Sequence, residues 1–146
     1  SYGYVILGTA TPAAQVPVSG SASYVGLLSA AYSGPSTLLE VSAQANATAN
    51  FASNAVTLTT TGSQRLDALT PSSTAVTDSG FNLSGTLNWT PGTNQLSGTL
   101  TTANGLSGAA TARFYGPAAQ ELGGTFDLSA GVSVNRLIGG FSLSQP

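Results

Sequence analysis

Four residue types are missing from this 146-residue sequence: cysteine, histidine, lysine and methionine. Without cysteine the chain has neither disulfides nor a thiolate for catalysis or zinc binding. Without histidine, lysine and cysteine the usual general bases and activated nucleophiles are absent too. We therefore predict a non-enzymatic protein with no metal site.

Charge is also scarce, since charged residues make up 5% of the chain and its net charge is −2. That balance excludes the electrostatic footprint of a protein that binds nucleic acid or an anionic membrane. No apolar run approaches the roughly 18 residues of a membrane span. Hydrophobic residues nevertheless reach 41%, enough for a folded domain with a core.

A short repeat gives the clearest information about the fold. Leu-Ser-Gly-Thr-Leu occurs at residues 83–87 and 96–100, and Leu-Ser-Gly-Ala-Ala follows at 106–110. Apolar residues alternate in these stretches, and a glycine in the middle of a strand marks tight curvature or close backbone approach. Turns rich in Asn, Gly and Pro separate the copies. We predict an all-β protein, an antiparallel eight-stranded small β-barrel formed by residues 19–146.

Other segments are assigned from the same patterns. Residues 37–51 alternate so that Leu39, Val41 and four alanines up to Ala49 share one face, which we predict to pack inside. Gly62 is predicted to end the strand 56–61, and Ser63–Leu69 to form one or two helical turns. Trp89, the sole tryptophan, is expected in the core or plugging a barrel end.

Residues 113–126 read Arg-Phe-Tyr-Gly-Pro-Ala-Ala-Gln-Glu-Leu-Gly-Gly-Thr-Phe. Glycine followed by proline marks a sharp turn, and Pro117–Leu122 is predicted to form the short helical turn of the fold. The next strand restarts after Gly123 and Gly124, and we expect a positive φ at Gly124.

This stretch resembles the signature that closes the β-barrels of transferrin-binding protein B. It is similar to related bacterial surface proteins, including factor H binding protein and haemophilin-type haem carriers. The resemblance spans roughly residues 17–143. The residues that carry it, assigned a structural role, are Phe114, Tyr115, Gly116, Pro117, Glu121, Gly123, Gly124 and Phe126.

The resemblance implies an extracellular or outer-membrane surface module of a Gram-negative bacterium, one that captures a host protein, haem or another nutrient-related ligand. Any lipid-anchoring cysteine would lie upstream of Ser1. No cofactor is predicted; haem is the one candidate, and only a tyrosine phenolate could ligate its iron. The candidate ligands are Tyr2, Tyr4, Tyr24, Tyr32 and Tyr115.

Two questions stay open at this level. Arg113 and Glu121 read either as a ligand-facing pair or, with more weight, as a structural ion pair or cap. Tyr2–Ala10 reads as a strand that is apolar on both faces, followed by an extended linker to Val18. It could pack on its own barrel or pair with a protein partner or a second copy. The alternative function is accordingly a structural subunit of an extracellular filament, matrix or surface layer.

Overall fold

Eight strands form one closed antiparallel barrel in the computed structural model, which describes residues 8–131 and 134–146. Pairing of β2 with β3 closes a sheet whose order is β2-β1-β9-β8-β7-β6-β5-β3, and β4 adds to β3 outside the ring. The strands are β1 Ser21–Ser33, β2 Leu38–Asn50, β3 Ala55–Asp67, β4 Val76–Thr77, β5 Leu83–Asn88, β6 Gln95–Thr102, β7 Ser107–Tyr115, β8 Glu121–Ser129 and β9 Arg136–Ser144. Two short 3-10 turns, Ala13–Gln15 and Ser79–Phe81, are the helical pieces of the described residues. The predicted fold class is confirmed.

Large and small residues alternate around the inside of the barrel. Gly85 lies opposite Leu100, Leu87 opposite Gly98, and Gly124 opposite Phe141. A Cβ added at Gly85 would stand 2.2 Å from the carbonyl oxygen of Thr99, so no larger residue fits. The repeated mid-strand glycines therefore permit the curvature that closes eight strands around a solid core.

The alanine face of β2 points inward, as predicted. Leu39, Val41, Ala43, Ala45, Ala47 and Ala49 are all buried. Small side chains here accept larger ones from the neighbouring strands: Ala47 lies between Tyr24 and Leu58. Packing, rather than a ligand, explains the row of alanines.

The prediction that Gly62 ends a strand and that Ser63–Leu69 is helical is wrong. β3 continues to Asp67, and Gly62 (φ +63°) forms a bulge where the pairing with β2 shifts register between Ser42 and Gln44. The bulge turns Ser63 toward Asn82, whose side-chain oxygen accepts hydrogen bonds from the Ser63 backbone N–H and hydroxyl. An extra residue in one strand produces this bend without ending the ladder.

Residues 117–122 are not helical either. Gly116 (φ +90°) and Ala119 (φ +63°) both adopt left-handed backbone angles, which a right-handed helical turn excludes. Glu121 and Leu122 already belong to β8 and pair with Tyr115 and Phe114 of β7. The segment is a tight connection between two strands.

The connections divide between the two ends of the barrel. One end, which we call the plugged end, carries residues 51–54, 89–94 and 116–120, together with residues 8–20, which precede β1. The loop end carries residues 34–37, 68–82 and 103–106 and the connection between β8 and β9. Of the predicted strand Tyr2–Ala10, residues 1–7 lie outside the described residues. The linker that follows is not extended throughout, because Ala13–Gln15 forms a 3-10 turn and Thr11 and Val16 are buried.

Candidate functional site

Four aromatic rings fill the plugged end. Phe114 is fully buried and stands edge-to-face with Trp89, with ring centroids 5.0 Å apart. Phe51 lies 5.8 Å from Phe114 and 5.9 Å from Trp89, and Tyr24 lies 6.5 Å from Phe114. Trp89 therefore plugs this end of the barrel, as the sequence indicated. Each aromatic pair of this kind stabilises the fold by about 0.5–1.5 kcal/mol in addition to the free energy of burying the rings.

The Phe-Tyr-Gly-Pro stretch wraps over this cluster and is held by distant parts of the chain. The hydroxyl of Tyr24 donates to the carbonyl oxygen of Ala119 at 2.6 Å. The backbone N–H of Gln145 donates to the carbonyl of Gln120 at 2.9 Å. Because Ala119 is buried with a strained backbone angle, these partners explain how the turn is kept in place. The turn at residues 116–120 is thus fixed by contacts from β1 and from the end of the chain.

Residues 8–11 pair along the end of β7. The N–H of Thr11 donates to Phe114, that of Gly116 donates to Thr9, and Ala10 bridges to Tyr115. Thr11 is fully buried; its hydroxyl donates to the Gly116 carbonyl at 2.7 Å, and its own carbonyl accepts from the Asn94 side chain at 2.7 Å. The described part of the N-terminal segment therefore packs on its own barrel.

Arg113 and Glu121 do not form an ion pair. Glu121 Oε1 accepts a hydrogen bond from the N–H of Gly8 at 3.0 Å and thereby holds the segment that precedes β1 against β8. Arg113 points outward from β7, is exposed, and has no ion pair with any described residue. Neither the predicted ion pair nor the predicted cap of a helical turn is observed among the described residues, and Glu121 bonds to the backbone of Gly8 instead.

Of the tyrosines proposed as haem ligands, the three that the structure describes are not brought together. Tyr24 lies inside the barrel, where burial raises the pKa of its phenol and so disfavours the phenolate that iron requires. Tyr32 is half-buried toward the loop end, edge-on to Phe81 with centroids 5.2 Å apart. Tyr115 is half-buried on the outer face of β7. Tyr2 and Tyr4 lie outside the described residues.

Exposed apolar side chains gather at the loop end. Half of the eight large hydrophobic residues exposed in the described chain lie there. They are Leu38 (37% exposed), Leu69 (60%), Val76 (46%) and Val134 (67%). The elements that carry them are adjacent: the Ala68 N–H donates to the Leu38 carbonyl, Val76 pairs with Arg65 of β3, and Ser33 pairs with Arg136. We call these four residues the loop-end rim.

The loop that presents Leu69 is ordered by Asp67. One carboxylate oxygen accepts from the Leu69 N–H at 2.9 Å and the other from the Thr70 hydroxyl at 2.8 Å. The Ser73 hydroxyl donates to the Asp67 carbonyl at 2.8 Å. The hydrogen bond from Thr70, followed by that from Leu69, lowers the pKa of Asp67 below its ordinary value. These hydrogen bonds fix the backbone that presents the exposed Leu69 side chain.

Neither a metal cluster nor a membrane-spanning helix is found in the part of the chain that the structure describes. Residues 8–131 and 134–146 contain no group of three or more metal-ligating side chains. No helix within those ranges is long and apolar enough to cross a membrane.

A family model described as the C-lobe and N-lobe beta barrels of Tf-binding protein B matches residues 16–144. The chain belongs to this family. The match covers β1 to β9 and excludes the first 15 residues. No curated protein matches the chain.

Solved structures of transferrin-binding protein B show the same fold as this barrel. A transferrin-binding protein B mutant from Haemophilus parasuis Hp5 is 18% identical, with a TM-score of 0.70, over 93% of this chain. The protein from serogroup B Neisseria meningitidis is 18% identical, with a TM-score of 0.66, over 94%. The chain spans 28% of the length of each of these two structures. A structure titled surface lipoprotein is 14% identical, with a TM-score of 0.59, over 93% of this chain and 65% of its own.

Sequence reasoning missed the loop-end rim of this barrel. It placed Leu69 in a helical turn, but the residue is exposed beyond the end of β3. A usable signal was present in the Asp67, Thr70 and Ser73 spacing, because Asp and Ser side chains that bond to nearby backbone favour turns over helix.

Proposed function

We propose that this chain is a non-enzymatic binding module on the extracellular surface of a Gram-negative bacterium, and that its loop-end rim captures a host protein. Support comes from the family match over residues 16–144, together with relatives named for transferrin binding and for a surface location. Since the chain corresponds to about one barrel of those longer proteins, transferrin is the first partner to test rather than an assigned one.

The observation that carries the location of the site is the exposed, ordered Leu69 among three other apolar side chains at one barrel end. Binding energy at protein interfaces concentrates in a few residues that become desolvated at the centre of the contact. A rigid barrel with partner-facing loops at one end is the usual division between scaffold and recognition surface.

Leu69→Asp tests the site. Immobilised wild-type protein should bind iron-loaded or iron-free transferrin, or retain another serum protein identified by mass spectrometry, and Leu69→Asp should weaken that binding at least about tenfold by placing a charge in the contact. Leu27→Asp is the matched control, because Leu27 is 59% exposed, as Leu69 is 60% exposed, and lies in the middle of β1 rather than at the rim. Retention that is lost equally in both variants, or in neither, would contradict the rim as the site.

Haem is the less favoured ligand. The hydroxyl of Tyr24 is already hydrogen-bonded to the carbonyl of Ala119. The outer groove beside Tyr115 is lined mainly by polar side chains, whereas a porphyrin needs apolar walls. A visible spectrum recorded during haem addition checks this: a Soret band that shifts at one equivalent and is lost in Tyr115→Phe would reverse the ranking.

A structural subunit of an assembly remains the alternative function. Closure of the barrel pairs each of its eight strands on both sides. Among the described strands only the two-residue β4 keeps an unpaired edge, so assembly through a longer strand would involve residues 1–7, which lie outside the described residues.

A further inference from the structure

Among the residues that the structure describes, two of the three arginines are paired with a carboxylate, and the third is not. Arg65 Nε lies 3.0 Å from Asp78 Oδ2, and Arg136 makes two hydrogen bonds to the carboxylate of Asp127. Arg113 has no such partner among the described residues, which include all five acidic side chains. One full positive charge is therefore left available on the outer surface, in a chain whose net charge is −2.

That charge lies in a groove of about 770 Å³ on the outer face of β5 to β8. Two rows of side chains cross the groove in register. Ser97, Thr111 and Thr125 form one row, and Gln95 and Arg113 form the other, which continues to Gly123. Gly123 has no side chain and is itself buried, so the second row ends at Arg113.

The lining contains no carboxylate. Neutral hydroxyl and amide groups dominate it, with Arg113 as the single charge. The nearest signature carboxylate, Glu121, already accepts the Gly8 N–H. Two aromatic residues, Trp89 and Tyr115, also line the groove toward the plugged end.

These groups match the chemistry of one ligand class. Ser, Thr, Asn and Gln can both donate and accept hydrogen bonds, as the hydroxyls of a sugar require. A guanidinium binds a carboxylate through two parallel hydrogen bonds. A single cation balances one negative charge, which favours a monocarboxylate over a phosphate dianion. The volume falls within the range of about 300–1,000 Å³ typical of small-molecule sites.

We propose that the β5–β8 groove binds a saccharide bearing one carboxylate, such as a sialic acid or uronic acid residue, with Arg113 holding the carboxylate and the Ser/Thr/Gln rows holding ring hydroxyls. The site lies on the barrel wall, away from the loop-end rim. It does not depend on which protein, if any, binds at that rim.

Titration of the full chain with N-acetylneuraminic acid and glucuronic acid tests the proposal, monitored by saturation-transfer NMR and calorimetry. We expect weak but saturable binding with a Kd on the order of 1 mM. Arg113→Gln should weaken binding at least about tenfold, because the charge-assisted pair is lost. Arg113 is exposed, so this variant should keep the wild-type thermal midpoint.

Arg136→Gln is the matched control, since it removes the same charge from the opposite side of β8 and should leave saccharide binding unchanged. Thr111→Val should weaken binding while keeping the guanidinium. Four outcomes would overturn the proposal: no binding by the wild type, equal loss in Arg136→Gln, equally tight binding of neutral N-acetylglucosamine, or equally tight binding of acetate. The last outcome would indicate a simple anion site without saccharide recognition.

Discussion

The two ends of the barrel are built in opposite ways. At the plugged end, four buried aromatic rings lie beneath a turn that is fastened by Tyr24, Thr11 and Gln145, each far from it in sequence. At the loop end, the loop after β3 is ordered by hydrogen bonds between residues close in sequence. Asp67 accepts them from Leu69 and Thr70, two and three positions along the chain. Apolar side chains there face solvent.

Under the proposed function, this contrast separates stability from binding. Long-range contacts make the plugged end part of the cooperative core, so that changes there should be measured as lost stability. Local contacts make the loop end a surface feature whose changes should alter binding while leaving the barrel folded.

The largest effect is expected for Gly124→Val. The sequence led us to expect a positive φ at Gly124, and that expectation is wrong, because the backbone there does not have a positive φ. A Cβ there would instead stand 2.3 Å from the Thr111 carbonyl oxygen and 2.8 Å from the ring of Phe141. We expect a loss of about 3 kcal/mol or more in the free energy of unfolding, measured by urea denaturation.

Gly131→Ala at the loop end is the comparison for Gly124→Val. Gly131 has φ +64° and open space where a Cβ would go, so only backbone strain of about 1–2 kcal/mol is expected. Equal urea midpoints for the two variants would mean that the close approach of neighbouring strands does not restrict the size of the residue at position 124.

Tyr24→Phe should have the next largest effect. Removing the hydroxyl leaves the buried carbonyl of Ala119 without this donor, at a cost of about 1–3 kcal/mol. Burial raises the pKa of Tyr24 above 10.0, so its contribution is complete below pH 10.0 and is lost as the pH rises through the folded value. Thermal denaturation at neutral and alkaline pH would measure both effects.

Tyr32→Phe serves as the control, because the described residues offer its hydroxyl no hydrogen bond that the structure records. A change within about 0.5 kcal/mol is expected for it. If the two variants were equally destabilised, the turn at Ala119 would not depend on its distant anchor.

The smallest effect concerns acid at the loop end. Hydrogen bonds lower the pKa of Asp67 below 3.8, so the carboxylate orders its loop at higher pH. That order is complete above the unfolded pKa and is lost as the pH falls through the lower folded value. Acid titration by NMR should move the amide signals of Leu69 and Thr70 below pH 3.8 while those of Thr11 and Gly116 stay in place.

Asp67→Asn should abolish that titration without unfolding the barrel. Because the side chain is partly exposed, the thermal midpoint should change little. Simultaneous movement of signals at both ends would indicate that acid acts on the whole fold, and the contrast between the ends would be lost.

Strand periodicity made much of the fold predictable. Alternating apolar residues set the inward face of each strand, and the Leu-Ser-Gly-Thr-Leu repeat placed glycines where neighbouring backbones approach. These properties depend on residues within one strand and its partner, so they can be read locally. The resemblance carried by residues 113–126 extended the prediction to the family.

The sequence by itself determined a sparsely charged, all-β barrel without cysteine, histidine or lysine, because composition and period-two patterning are properties of the chain alone. Only the tertiary structure decided the Gly62 bulge, the non-helical turn at Ala119 and the exposure of Leu69. Each depends on partners that no local pattern identifies: Asn82 for Ser63, Tyr24 for Ala119 across 95 residues, and the β3 extension for Leu69. Helix propensity in a short segment is worth less than these tertiary contacts, so the contacts fix the backbone.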